Sequence, residues 1–125
     1  MTQMESARKG IITREMEIVS RDEYIDIEKL RDGIASGMIT IPANNTRQLG
    51  APRGVGEGLR TKVNANIGTS ADFQDVEDEL VKLHAALEAG ADAMMDLSTG
   101  GDLNSIRDRI VAECPVPLGT VPIYD

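Results

Sequence analysis

Apolar positions along this chain recur first at helical spacing and then, in the second half, at alternating helix and strand spacings. Ile27, Leu30 and Ile34 repeat at steps of three and four, with Asp22, Glu23, Glu28, Lys29, Arg31 and Asp32 mostly on other faces, which predicts an amphipathic helix. Ser20 followed by Glu23 has capping-box spacing and puts the start of that helix at Ser20. Gly37 is placed to end it. Residues 38–41 (Met-Ile-Thr-Ile) read as a strand stopped by Pro42. Residues 1–19 are mixed, and 9–13 and 16–19 suit short extended or short helical pieces equally.

Residues 43–60 read as a loop, with Asn44, Asn45, Gly50, Pro52, Gly54, Gly56 and Gly58 supplying turn chemistry. The three alternating glycines lack the preceding strand and following helix that a dinucleotide-binding loop requires, so a linker or lid is the better reading.

From Thr61 the pattern becomes regular. A strand is predicted over 62–67 and a helix over 73–89, capped by Asp72 and closed by Gly90, with the stripe Val76, Leu80, Leu83 and Leu87. A buried strand follows over 91–97. A second helix, capped by Asp102 or Asn104, carries Leu103, Ile106, Ile110 and Val111 and ends at Pro115. A third strand is predicted over 116–123. Strand, helix, strand, helix, strand implies a parallel α/β sheet, and the repeat length suits a (β/α)8 barrel or a doubly wound sheet. Strand faces favour the barrel: Lys62, Asn64 and Asn66 share one face and Val63, Ala65 and Ile67 the other. The expected fold class is therefore α/β. Residues 1–60 form a helical or extended lead-in and linker, and 61–125 form the first three strands (βαβαβ) of an incomplete TIM-type barrel.

Composition narrows the function. In 125 residues there are 21 acidic and 13 basic side chains, a net charge of −8, which argues against a nucleic-acid or anionic-membrane surface. No apolar run approaches the roughly 20 residues that span a bilayer, and the N-terminus shows no signal-peptide pattern. Cys114 is the sole cysteine, so no internal disulfide forms and a reducing, cytoplasmic setting is expected. His84 and Cys114, one of each and far apart, cannot build a metal site.

Asn66, Met95 and Tyr124 fall at or near the ends of the three predicted strands, 29 residues apart at each step. In a barrel that end carries the active site. An amide, a thioether and a phenol there suit a small-molecule pocket. Spacing alone leaves plainer readings open: Asn66 satisfying a turn, Met95 in the core, Tyr124 without a role. Asp96 with Ser98-Thr99-Gly100-Gly101 is a further polar cluster, suited to a helix cap or to binding.

The chain also resembles the phosphomethylpyrimidine synthase family. The resemblance is carried by Thr2-Gln3-Met4 and Ala7-Arg8-Lys9-Gly10-Ile11-Ile12-Thr13, by Gly37-Met38-Ile39-Thr40-Ile41-Pro42-Ala43-Asn44, by Lys62-Val63-Asn64-Ala65-Asn66-Ile67-Gly68, by Met95-Asp96-Leu97-Ser98-Thr99-Gly100, and by Pro115-Val116-Pro117-Leu118-Gly119-Thr120-Val121-Pro122-Ile123-Tyr124. It implies a (β/α)8 barrel behind an N-terminal region, and conversion of aminoimidazole ribotide to hydroxymethylpyrimidine phosphate by radical chemistry in thiamine biosynthesis. It implies S-adenosylmethionine, a [4Fe-4S] cluster and zinc as cofactors, and a homodimer at full length. Asn66, Met95 and Tyr124 match family positions that contact the substrate. The family's zinc histidines and three-cysteine cluster motif lie beyond the third strand. This chain is therefore expected to hold no catalytic or metal residue of its own, to depend on the remainder of the barrel, and to be inactive alone. Glu5-Ser6, where relatives often carry His-Tyr, and residues 46–59 depart from the family pattern. Two alternatives remain: part of the related hydroxybenzimidazole synthase, or a short non-catalytic protein that binds the ribotide or a partner.

Overall fold

Three short helices open the chain, each started by a side-chain oxygen. In the computed structural model, which describes residues 1–124, the chain divides into two units, Met1–Thr61 and Lys62–Asp125. In the first unit α1 (Gln3–Arg8) begins at Thr2. The Thr2 hydroxyl accepts from the Glu5 N–H at 3.1 Å, and the Glu5 carboxylate accepts from the Thr2 N–H at 2.7 Å, a reciprocal capping box. The Thr2 backbone N–H, followed by its hydroxyl, holds the exposed Glu5 carboxyl below its ordinary range. Helix α2 (Arg14–Glu23) begins at Thr13, whose hydroxyl accepts from the Met16 N–H at 3.3 Å. Helix α3 (Ile27–Ser36) begins at Asp26, whose carboxylate accepts from the N–H groups of Glu28 and Lys29 at 3.1 and 3.0 Å.

The helix expected from Ser20 is thus two helices. Ser20 lies inside α2, where its hydroxyl donates to the Ile25 carbonyl at 2.7 Å. Tyr24 turns left-handed at φ 54° and ends α2, and Asp26 supplies the carboxylate that starts α3. Gly37 closes α3 at φ 83°, as expected of a C-terminal cap. The strand read over 38–41 is β1 (Ile39–Thr40). It pairs antiparallel with β2 (Val55–Gly56), so residues 43–60 contain a strand as well as loop. Met16, Val19, Leu30 and Ile34 interlock with Ala7, Ile39 and Ile41 to form this unit's core.

The second unit runs β3 (Asn64–Ile67), α4 (Val76–Glu88), β4 (Ala93–Asp96), α5 (Leu103–Glu113) and β5 (Leu118–Thr120), then a 3-10 turn at Pro122–Tyr124. The strands are parallel in the order β3-β4-β5. The expected βαβαβ order is present as a small open sheet, and the described residues form no closed barrel. Helices α4 and α5 pack together, with Arg109 paired to Glu77 at 2.8 Å. Ile67, Leu80, Leu83, Met94, Ile106, Ile110, Cys114 and Val116 are buried. His84 is exposed and 2.9 Å from Glu113. Among the described residues no helix is long and apolar enough to cross a membrane.

In this unit two boundaries differ most from the sequence pattern. Helix α4 starts at Asp75 rather than Asp72, because Ser70 and Phe73 already exchange backbone hydrogen bonds at 2.8 and 3.3 Å in a turn. Strand β5 stops at Thr120, ahead of Pro122, which has no N–H to extend a ladder. For α5, Asp102 is the cap, accepting from the Ser105 N–H at 3.2 Å.

Tyr24 is 96% exposed and holds a left-handed backbone with almost no packing in return. Glycine there removes a steric penalty of about 1–2 kcal/mol, less the added flexibility of the unfolded chain. Tyr24→Gly is expected to raise the unfolding free energy by about 0.5–1 kcal/mol in urea titrations. A loss of stability would show that the ring contributes contacts.

Candidate functional site

The register of the parallel sheet decides which side chains meet. Asn66 is paired with Met95, and Met95 with Gly119, so the three form one row across β3, β4 and β5. Asn64 and Ala93 form the row behind it. Because strand side chains alternate between faces, these residues share one side of the sheet. The Asn64 amide donates to the Asn66 side-chain oxygen at 3.0 Å on that side. Asn64 and Asn66 are exposed there, while Ala93, Met95 and Gly119 are half-buried. The other side carries Ile67 and Met94, 6% and 1% exposed, and belongs to the core. A polar face and a helix-covered apolar face therefore divide β3 as its alternation predicts.

The row brings Asn66 and Met95 together. Tyr124 is not in that row: it lies in the 3-10 turn past the end of β5 and is 47% exposed. A concavity of about 500 Å³ along α4 beside Phe73 in this unit is lined by none of these residues. The Asn66–Met95 row lies on the open face of the sheet, with Asn66 exposed and Met95 half-buried.

Beyond the ends of β3 and β4, two loops are clasped together. Asp96, 3% exposed, accepts from the Ser98 N–H at 3.0 Å and from the Ser98 hydroxyl at 2.5 Å. The Ser98 oxygen accepts from the Thr69 N–H at 3.0 Å. The Thr69 hydroxyl donates to the Gly100 carbonyl at 2.6 Å, and the Thr99 N–H donates to the Thr69 carbonyl at 2.9 Å. The polar cluster at 96–101 thus serves as a strand-end lock, with the α5 cap left to Asp102. Glycine makes the approach possible. Gly68 sits at φ 153°, where a Cβ would lie 2.6 Å from the Leu97 carbonyl carbon. At Gly100 a Cβ would lie 2.2 Å from the Ser70 oxygen.

Buried carboxylates anchor the same strand from both ends. Glu79 on α4, 2% exposed, accepts from the Gly68 N–H at 2.7 Å and pairs with Lys82. Asp92, also 2% exposed, accepts from the Val63 N–H at 2.9 Å. Sequence patterning singled out neither. For Glu79 a signal existed: a carboxylate directly beside Leu80 on the buried stripe of an amphipathic helix asks for a partner.

The donor set does not fit an iron–sulfur cluster or a zinc ion. A cluster takes three or four thiolates, and Cys114 is the chain's single cysteine, buried with its thiol against the Val116 carbonyl at 3.5 Å. Among the described residues no three His, Cys, Asp or Glu side chains gather as metal ligands.

Comparison with known proteins gives one consistent result. The Radical SAM ThiC family description matches residues 2–125. The chain is 57% identical over 124 residues to the phosphomethylpyrimidine synthase of Desulforudis audaxviator, covering 99% of this chain and 29% of that protein. It is 56% identical over 126 residues to a phosphomethylpyrimidine synthase of Thermus thermophilus, covering 100% of this chain and 29% of that protein. Phosphomethylpyrimidine synthase 2 of Methanothermobacter thermautotrophicus is 55% identical over 125 residues, again with 29% of its length covered. The chain spans somewhat under a third of the curated relatives it matches.

Ser98 is the hinge of the clasp, since it donates to Asp96 and accepts from Thr69. Ser98→Ala leaves both buried groups short of a partner, which is expected to cost about 1–3 kcal/mol. Hydrogen exchange at the Thr69 amide should accelerate correspondingly, with the Leu83 amide in α4 less affected. Unchanged exchange at Thr69 would show that the clasp does not depend on the hydroxyl.

Proposed function

This chain belongs to the Radical SAM ThiC family, and we propose from that membership that it forms the N-terminal portion of a phosphomethylpyrimidine synthase, an enzyme of thiamine biosynthesis. In this reading residues 62–124 supply the first three strands of a TIM-type barrel. The open polar face of β3–β4–β5 becomes the barrel interior, and the rest of the barrel supplies the remaining walls. The parallel order β3-β4-β5, with helical crossovers, supports that geometry.

The single observation that carries the site is the row Asn66–Met95, on the open face and at the carboxyl ends of adjacent parallel strands. The substrate in this reading is aminoimidazole ribotide. Asn66 brings an amide that can both donate to and accept from the ligand's polar atoms. Met95 brings a polarizable thioether suited to the face or edge of a heteroaromatic ring. Tyr124, carried on the turn after β5, closes over the ligand with its phenol as a hydrogen-bond partner. These side chains hold and orient the substrate. Family membership implies S-adenosylmethionine and an iron–sulfur cluster, which generate the radical. Since the donors present here do not fit that cluster, its ligands come from outside these residues, and this chain is inactive on its own. The names of the relatives support a pyrimidine product over a benzimidazole one.

The test is anaerobic turnover of aminoimidazole ribotide by the complete gene product. Asn66→Ala is expected to lower kcat/KM by about ten- to a hundredfold, the size of one lost substrate hydrogen bond, with the circular dichroism spectrum unchanged. Tyr124→Phe is expected to fall by about tenfold on the same grounds. Wild-type rates in both variants would remove these residues from the site.

A further inference from the structure

Gly119 stands beside Met95 in the sheet register, on the same open face. A Cβ placed on it would lie 3.0 Å from the Met95 Sδ and 3.3 Å from its Cε. Both distances are inside the roughly 3.5–4.0 Å of ordinary carbon contact. The Met95 thioether therefore lies along the sheet, over the bare backbone of β5. We propose that Gly119 is a specificity-determining residue of this site: by lacking a side chain it lets Met95 lie flat across β5, and so sets the depth of the floor on which a flat heteroaromatic ring rests. The proposal rests on reading this face as the ribotide site and extends it to a residue that need not touch the ligand.

Two observations and a general rule separate this role from a backbone one. Gly119 is not among the glycines of positive φ, so its dihedrals do not call for glycine. Among the described residues, the atoms that a Cβ would meet within 4 Å are the Met95 sulfur and methyl alone, whereas at Gly68 and Gly100 the obstacle is backbone. A glycine inside a strand also weakens it and commonly marks a close approach by a ligand or another chain segment. An alanine at 119 has one flexible neighbour to displace. Methionine has three rotatable side-chain bonds and yields easily, so the fold absorbs the change while the thioether swings up from the sheet into the space above Asn66 and Met95.

A merely structural glycine and a floor-setting glycine give opposite results. In the complete gene product, labelled with carbon-13 at the methionine methyl groups, Gly119→Ala is expected to leave the unfolding midpoint unchanged or slightly raised, because it restricts the unfolded chain. The Met95 methyl resonance, assigned by its loss in Met95→Ala, is expected to move. The dissociation constant for aminoimidazole ribotide is expected to rise about tenfold or more, the scale on which pockets read a single methyl group. In a Met95→Ala background the same glycine substitution is expected to cost less than about twofold, since its effect runs through the thioether. An unmoved Met95 resonance, an unchanged ribotide affinity, or an equal loss in both backgrounds would overturn the proposal. Failure of the wild-type product to bind the ribotide, or full-strength binding by Met95→Ala, would overturn the reading of the site itself and the role of Gly119 with it. The methyl resonance identifies which of the two has failed, because it reports the contact between residues 95 and 119 without any ligand.

Discussion

The hydrogen-bonded clasp between the loops after β3 and β4 is the constraint on which the second unit depends. Asp96, Ser98, Thr69 and the Gly100 carbonyl form a buried relay in which every partner lies between 2.5 and 3.0 Å. Buried polar groups are costly unless paired, so this relay permits only one alignment of the two strand ends. That alignment is what sets Asn66 level with Met95. Gly68 and Gly100 are part of the same device, because a Cβ at either would collide with backbone of the opposite loop. Glu79 adds a second hold by taking the Gly68 N–H from the helix side.

A division of labour between faces follows from this rigidity. The side of the sheet bearing Ile67 and Met94 is covered by α4, against which α5 packs, and gives the unit its core. The side bearing Asn64, Asn66 and Met95 contributes little to that core and is free to carry chemistry. Asp96 shows how closely the two are joined. It lies directly after Met95 in the chain, points to the opposite side, and locks the loop that fixes the end of the strand carrying Met95.

The sequence made the periodic features legible. Steps of three and four through Leu80 and Leu83, and the alternation of Asn64 and Asn66 with Ala65 and Ile67, mark helix and strand through burial alone. Caps were less legible, because several acidic and hydroxyl residues compete near each start. Ser20–Glu23 fits the capping-box pattern, yet Thr13 and Asp26 do the capping, since the left-handed turn at Tyr24 has no sequence signature of its own. The pairing of β2 with β1 and the exchange between Thr69 and Ser98 join distant residues, which local patterns do not encode. Asn66 and Met95 were found through spacing and family resemblance, and register shows them side by side. Tyr124 is expected near the end of a strand running to residue 123, but that strand stops at Thr120, ahead of a proline, which leaves Tyr124 in the turn that follows. Glu79 was missed because a carboxylate in a helix reads by default as a solvated one.

The most direct measurement is a crystal structure of the complete gene product with aminoimidazole ribotide bound. The imidazole ring is expected to rest on the Met95 thioether, with a polar ligand atom within about 3 Å of the Asn66 amide, inside a barrel whose first strands are β3, β4 and β5. A ribotide bound elsewhere, with the Asn66–Met95 row facing solvent, would contradict it.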